Sequence, residues 1–296
     1  MKIILTGSSG RIGRAIFGSL APEHEVIGVD THAFSTTQVM GDCADEGTMR
    51  PLLESADAVI HTAGPHAPHV GEVSDDEFER VNVQATGQLY EWARASGVGR
   101  YVYTSTTALY GHAIVPANCT WVDETTAPLP KSIYHRSKLA GEERLEALAT
   151  IDLPVRVLRM SRCFPENAAL MATYRLHRGV DARDVGEGHR LALDHKGPAF
   201  TRFILSGATP FTREDCEGLV SDAPAIIRAR APKLARAFAT RGWDLPRSID
   251  RVYDPGAAQA QMGWRTKWGW EEVLAQLERN DLEVLPYKAA AAPNSE

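Results

Sequence analysis

Cysteine is scarce and scattered. Cys43, Cys119, Cys163 and Cys216 are the four in 296 residues, and no two form a C-x-x-C pair. That spacing excludes a zinc-binding cysteine cluster and a dense disulfide framework, and it fits a reducing compartment, so the cytoplasm is the expectation. Long apolar runs are missing too. The stretch from Met1 to Thr6 stops at Gly7, far short of the roughly 20 residues of a membrane helix, and a glycine loop follows it where a signal peptide would show a cleavage site. Nor is there a basic excess: 32 Lys and Arg face 38 Asp and Glu, a formal net charge of −6, which argues against nucleic acid as a partner. No internal repeat is visible.

What is present is a recurring alternation. Short apolar runs at Ile3 to Thr6, Glu25 to Asp30, Ala58 to Thr62, Tyr101 to Ser105 and Val155 to Met160 read as strands buried on both faces. Helical patterns fall between them, around Ile12 to Leu20, Phe78 to Ser96 and Tyr134 to Leu148. Strand, helix, strand in this order predicts an α/β fold, a doubly wound parallel sheet of Rossmann type over residues 1–160. Beyond Ser161 the pattern loosens, and residues 161–288 read as a smaller substrate-binding domain. Segments of 180–207 return to the sheet, with a strand at Ile204 to Gly207; 223–240 is basic and helical or irregular; Trp270 to Leu277 is a closing helix. Residues 289–296, small and polar, read as a disordered tail.

Directly after the first strand comes Gly7-Ser8-Ser9-Gly10-Arg11-Ile12-Gly13, a G-x-x-G-x-x-G run opening into a helix. Glycine permits a tight turn and close approach of backbone N–H groups, and a helix N-terminus offers partial positive charge to a diphosphate. The second strand ends on Asp30, about 20 residues on, where a carboxylate reads a ribose hydroxyl pair. Asp30 favours NAD over NADP, because it repels a 2′-phosphate and Thr31-His32-Ala33-Phe34 offers no arginine to offset it; Arg11 and Arg14 lean the other way.

Three further segments, taken with this loop, carry a resemblance. They are Asp57-Ala58-Val59-Ile60-His61-Thr62-Ala63-Gly64; Val81-Asn82-Val83 leading to Tyr101-Val102-Tyr103-Thr104-Ser105-Thr106-Thr107-Ala108-Leu109-Tyr110-Gly111; and Tyr134-His135-Arg136-Ser137-Lys138. Over about residues 1–165 the chain resembles the extended short-chain dehydrogenase/reductase superfamily, in its NAD-dependent epimerase/dehydratase group, which acts largely on nucleotide sugars. Weaker echoes continue around Asp184 and at Met262-Gly263-Trp264. The resemblance implies NAD as cofactor, with Gly7, Gly10, Arg11, Ile12 and Gly13 around the diphosphate and Asp30 on the adenosine ribose. It places Asp42 and the Cys43 backbone at the adenine, Ala63 and Gly64 on the nicotinamide side, and Asn82 as a brace for the sheet and the lysine. Thr106 falls on the active-site Ser/Thr, with Ser105 and Thr107 as rivals.

Tyr134 and Lys138, four apart, share one helix face. A phenol titrates near 10 and is a slow base at neutrality. A lysine cation and an oxidised nicotinamide beside it stabilise phenolate, so that Tyr134 takes a proton from a substrate hydroxyl while hydride leaves the same carbon. The alternative is a packed tyrosine and a solvated lysine.

The chain departs from the group in three places. Hexose-dehydrating members carry Asp-Glu directly after the threonine, whereas here Thr107-Ala108 follow, which disfavours a 4,6-dehydratase. Nucleotide-sugar pockets usually place Asn three residues beyond the arginine ending the sixth strand; here that position is Arg162, either a fork for an anionic substrate group or a partner of Glu166. The stretch from Arg159 to Asp184 is short where nucleotide-sugar relatives insert a longer segment, which suggests a smaller substrate, a free sugar, a sugar acid or another hydroxy compound. Arg175, Arg178, Arg183, Arg228, Arg230 and Lys233 remain available to a diphosphate. His66 and His69 fall at the cleft mouth, with His66 a candidate substrate contact; two histidines without a carboxylate make a poor metal site, so no metal is expected.

The functional expectation is an NAD-dependent oxidoreductase or epimerase acting on a secondary alcohol of a sugar, sugar acid or nucleotide sugar by Tyr-Lys-assisted hydride transfer. A lyase using transient oxidation and a non-catalytic nicotinamide-binding sensor or scaffold of the same fold are the alternatives. The helices around Phe78 to Ser96 and Tyr134 to Leu148 resemble those that pair in the dimers of this superfamily, so a homodimer is expected.

Overall fold

A computed structural model describes residues 1–115 and 117–284; the expected tail at 289–296 and the last residues of the expected second domain lie outside them. Seven parallel strands form one sheet: β1 (Lys2–Thr6), β2 (Glu25–Asp30), β3 (Val39–Met40), β4 (Ala58–His61), β5 (Arg100–Thr106), β7 (Val155–Met160) and β8 (Phe200–Leu205), in the order β3-β2-β1-β4-β5-β7-β8. Successive side chains of a strand face opposite layers, and β1 shows the result. Ile3 and Leu5 pack with Ile16 and Leu20 of the helix Arg11–Leu20 and with Val185 of the helix Ala182–Asp194. Ile4 packs on the other side with Leu53, Leu89, Tyr90 and Leu145.

The strand order reverses between β1 and β4, which opens a crevice at the carboxyl ends of the strands. Thr6, Asp30, His61, Thr106 and Met160 end the strands around it. Two elements flank the crevice. One is a helical run from Asp75–Glu79 through a π-helical stretch Arg80–Ala85 into Thr86–Ala95; the other is the helix Ile133–Leu148, which packs against it. The Ile133–Leu148 helix starts cleanly because the Ser132 hydroxyl accepts from His135 N–H.

The second unit has its own core of Met171, Leu219, Ile227, Phe238, Trp243 and Val273. Residues 223–240 are helical in it, as Ala223–Arg230 and Pro232–Thr240. Its two-stranded sheet pairs β6 (Thr120–Val122) with β9 (Arg251–Tyr253), so a segment from the first half of the chain belongs to it. No sequence pattern marks that pairing, since three-residue strands carry too little period to read. The returning strand starts at Phe200 rather than Ile204, and Trp264 is fully buried against the sheet unit, its Nε1 donating to Asp184 O at 2.9 Å.

One charged cluster sits inside the sheet unit. Glu142, fully buried, accepts from Arg159 Nε and Nη2 at 3.1 and 2.6 Å, from Arg202 Nε at 3.2 Å and from the Ser105 hydroxyl. Arg159 also donates to the Tyr110 hydroxyl at 3.0 Å. Removing one partner of such a pair leaves the other charge uncompensated in a poor dielectric, at a cost of about 3–5 kcal/mol. Glu142→Ala should therefore lower the unfolding free energy measured by urea titration by that scale, whereas Glu146→Ala, at the exposed end of Arg202, should lower it by less than about 1 kcal/mol.

Candidate active site

The crevice is a cavity of about 660 Å³ that runs from the glycine loop past the ends of β4 and β5 to the second unit. The loop turns sharply after β1. Gly7 takes φ of +74°, and a Cβ on Gly13 would stand 2.0 Å from Gly7 O, so the turn closes only on glycine at both positions. No side chain caps the helix start at Gly10 and no acidic residue lies in its first turn. Uncapped first-turn N–H groups on a cavity wall form a donor set for an anion. Gly7, Gly10, Arg11, Ile12 and Gly13 all line the cavity.

Asp30 ends β2 on the same wall. Its carboxylate accepts from Ser9 N–H at 3.0 Å and His32 N–H at 2.9 Å, which fixes it while leaving further lone pairs for hydroxyls. Asp42 and Cys43 line the far end, where Asp42 pairs with Arg80 at 2.9 Å. Burial, with Asp42 beside it, pushes the Cys43 thiol up to about 12, so its sulfur stays protonated and the backbone is what it offers a ligand. Arg80 is a wall residue that no sequence pattern singled out.

Ala63, Gly64, Thr106, Thr107, Tyr134 and Lys138 meet at the middle of the cavity. Tyr134 and Lys138 come from one face of the Ile133–Leu148 helix, as their spacing predicts. Burial pushes the Tyr134 phenol above its ordinary range, and the Thr106 side chain nearby offsets part of that rise; the Ser105 hydroxyl is turned to Glu142, whereas Thr106 and Thr107 line the cavity beside Tyr134. Lys138 is 6% exposed, with Nζ 4.0 Å from the centre of the Tyr103 ring. Burial pulls its ammonium down to about 7, against the opposing pull of Glu142. Asn82 lies behind the cavity wall, its Nδ2 donating to Pro65 O at 3.1 Å and to the Ser137 hydroxyl at 3.0 Å, so it ties the loop after β4 to the Tyr134 helix.

The remaining walls come from the loops after β4 and β7 and from the second unit. His66 stacks on Phe164, and burial with His69 and Lys138 nearby holds its imidazole below the usual range. Arg162 lines the cavity but places Nε and Nη2 on Glu166. Of the basic residues weighed for a diphosphate, Arg178 reaches the cavity, stacked 4.0 Å from the Tyr174 ring centre and with its Nε buried without a hydrogen-bond partner in the described residues. Arg175 and Arg183 are engaged by Asp181, and Arg230 by Asp215. Arg251 and Tyr253, brought in by β9, are wall residues the sequence did not reveal.

These walls fit a dinucleotide: an uncapped glycine-loop helix, a fixed carboxylate one strand over, and a Tyr-Lys pair where the redox end would lie. The family model described as NAD dependent epimerase/dehydratase family matches residues 3–175. A dTDP-glucose 4,6-dehydratase of Streptomyces antibioticus is 27% identical, over 93% of this chain and 91% of its own length. A 2-alkyl-3-oxoalkanoate reductase of Stenotrophomonas maltophilia is 32% identical over 53% of this chain and 51% of its own length. In fold, the chain is similar to a short-chain dehydrogenase/reductase superfamily protein of Agrobacterium tumefaciens crystallised with NAD, with a TM-score of 0.71 and 21% identity over 95% of this chain and 98% of that one.

The buried lysine yields a stability test. Folded, Lys138 releases its proton near 7; unfolded, near 10.5. Between those values the unfolded chain binds more protons, so stability rises with pH there, and below 7 the penalty of the buried charge is fully present. Lys138→Met should therefore be more stable than the unliganded wild type at pH 6 by calorimetry, and the gap should close as pH rises from 7 to 10.

Proposed function

Because the chain belongs to the NAD dependent epimerase/dehydratase family, we propose that it is an NAD-dependent oxidoreductase or epimerase that moves hydride at a secondary alcohol of an anionic, carbohydrate-like substrate. The observation that carries this reading is that Thr106 and Tyr134 line the cavity that the glycine loop also lines, with Tyr134 one helical turn from the buried Lys138 on the same helix. When bound, NAD supplies an oxidised nicotinamide that accepts hydride from the carbinol carbon and adds positive charge beside the phenol.

The chain's own residues do the rest. Gly7, Gly10, Arg11, Ile12 and Gly13 hold the diphosphate and Asp30 the adenosine ribose, with Asp42 and Cys43 at the adenine and Ala63 and Gly64 at the nicotinamide. Lys138 bonds the nicotinamide ribose and stabilises the Tyr134 phenolate electrostatically. Thr106 donates to the substrate oxygen, and Tyr134 takes the hydroxyl proton as the carbon becomes a carbonyl; in the reverse direction Tyr134 returns it. Asn82 keeps the loop and helix in register. His66 and Thr107 contact the substrate from the sides.

Arg178 is our choice for the substrate's anionic group. It is a cavity cation with a buried, unpartnered Nε, whereas Arg162 already has a bidentate carboxylate partner. Elimination of water from a hexose needs a further acid and base beside the threonine, and Thr107 and Ala108 supply neither.

A screen of sugar acids, sugar phosphates and nucleotide sugars with NAD, followed by absorbance of the reduced cofactor and by product isomers, separates the net dehydrogenase from the epimerase. With the substrate found, Tyr134→Phe should lower kcat at least about 100-fold with NAD affinity unchanged; an unchanged rate excludes the role. Arg178→Ala should raise KM for the acidic substrate about tenfold or more and leave its uncharged analogue unaffected, the scale of a lost charged hydrogen bond.

A further inference from the structure

Arg11 opens the helix after the glycine loop, yet its side chain ends on the opposite side of the crevice. Its Nε donates to Cys163 O at 3.0 Å, in the loop after β7, and its Nη1 pairs with Glu283. In the sheet, β4 and β5 lie between β1 and β7, a separation of about 14 Å at ordinary strand spacing. The guanidinium therefore bridges the crevice along which a dinucleotide at a switch point lies, and it forms part of the cavity wall.

Glu283 is held in place to receive it. Its N–H donates to Asp281 Oδ1 at 3.0 Å, and the next residue, Val284, is buried in the core of the second unit. The carboxylate is thus presented by the second unit to a side chain of the first. The two contacts engage two of the five N–H donors of a guanidinium, which leaves donors for an anion.

We infer that Glu283 is a positioning residue for cofactor retention: it draws Arg11 across the crevice, and Arg11 closes over the diphosphate of a bound dinucleotide and slows its release. The inference rests on the dinucleotide reading above. It also bears on reaction class, because a reaction that returns its hydride within one turnover runs with the clasp shut, whereas net dehydrogenation must open it every cycle.

The test follows release rather than turnover. NADH is bound to the full chain and chased with excess NAD in a stopped-flow instrument, with loss of NADH fluorescence as the signal. Arg11→Gln and Glu283→Gln should each release NADH about tenfold faster, the change one charge-assisted contact brings, and Glu283→Asp should restore most of the slow release. Salt should speed release from the wild type and leave Glu283→Gln nearly unaffected, since the partly solvated ion pair is what salt screens. Equal release rates in wild type and both glutamine variants overturn the clasp alone. A lower melting temperature in Glu283→Gln with the salt dependence of release intact assigns the residue a structural role and overturns the clasp too. Failure of the wild type to bind NADH overturns the dinucleotide reading, and the clasp with it.

Discussion

A carboxylate buried behind the cavity holds the proposed reacting groups in place. Glu142 sits on the same helix face as Tyr134 and Lys138, and it grips Ser105 at the end of β5 and Arg159 at the end of β7. Through those contacts the helix that carries the phenol is keyed to the strand that carries Thr106. The attraction persists because the carboxylate is fully desolvated and each of its oxygens has a donor; in a poor dielectric, an ion pair of that kind resists slippage more strongly than the same pair in water. The same negative charge faces Lys138 and tempers the cost of burying it.

The positive groups of the cavity are distributed along its length, each with a different degree of neutralisation. Arg80 at one end is balanced by Asp42 and Glu77, Lys138 in the middle has no carboxylate in hydrogen-bond contact among the described residues, and Arg178 at the other end shares its face with an aromatic ring. An elongated anion finds a donor at each station. Arg162 shows how local pairing changes a residue's meaning: it stands at the right place on the wall, and Glu166 one helical turn's distance along the chain occupies its fork.

Much of this is legible in the sequence alone. Residues in long buried runs, such as Ile3 to Leu5 and Val155 to Leu158, announce parallel strands because both faces are covered, and the glycine loop, Asp30, Thr106, Tyr134 and Lys138 lie at strand and helix ends whose positions follow from those runs. What stayed hidden depends on long-range packing. The pairing of β6 with β9 brings Arg251 and Tyr253 to the cavity from about 130 positions away along the chain, and nothing local marks it. The contrast between Arg178 and its basic neighbours was equally invisible, since it rests on which arginine finds Asp181 or Asp215. Glu142 had a readable signal, four positions beyond Lys138, but charge at helical spacing ordinarily marks a solvated face.

The proposed chemistry requires a Tyr134 phenol whose acidity responds to the dinucleotide beside it. The most direct measurement is the phenolate absorbance of the protein across alkaline pH, with and without saturating NAD, taken as the difference between wild type and Tyr134→Phe. The account predicts that NAD moves the Tyr134 transition to lower pH. A transition that NAD leaves in place, in a protein that demonstrably binds it, would contradict it.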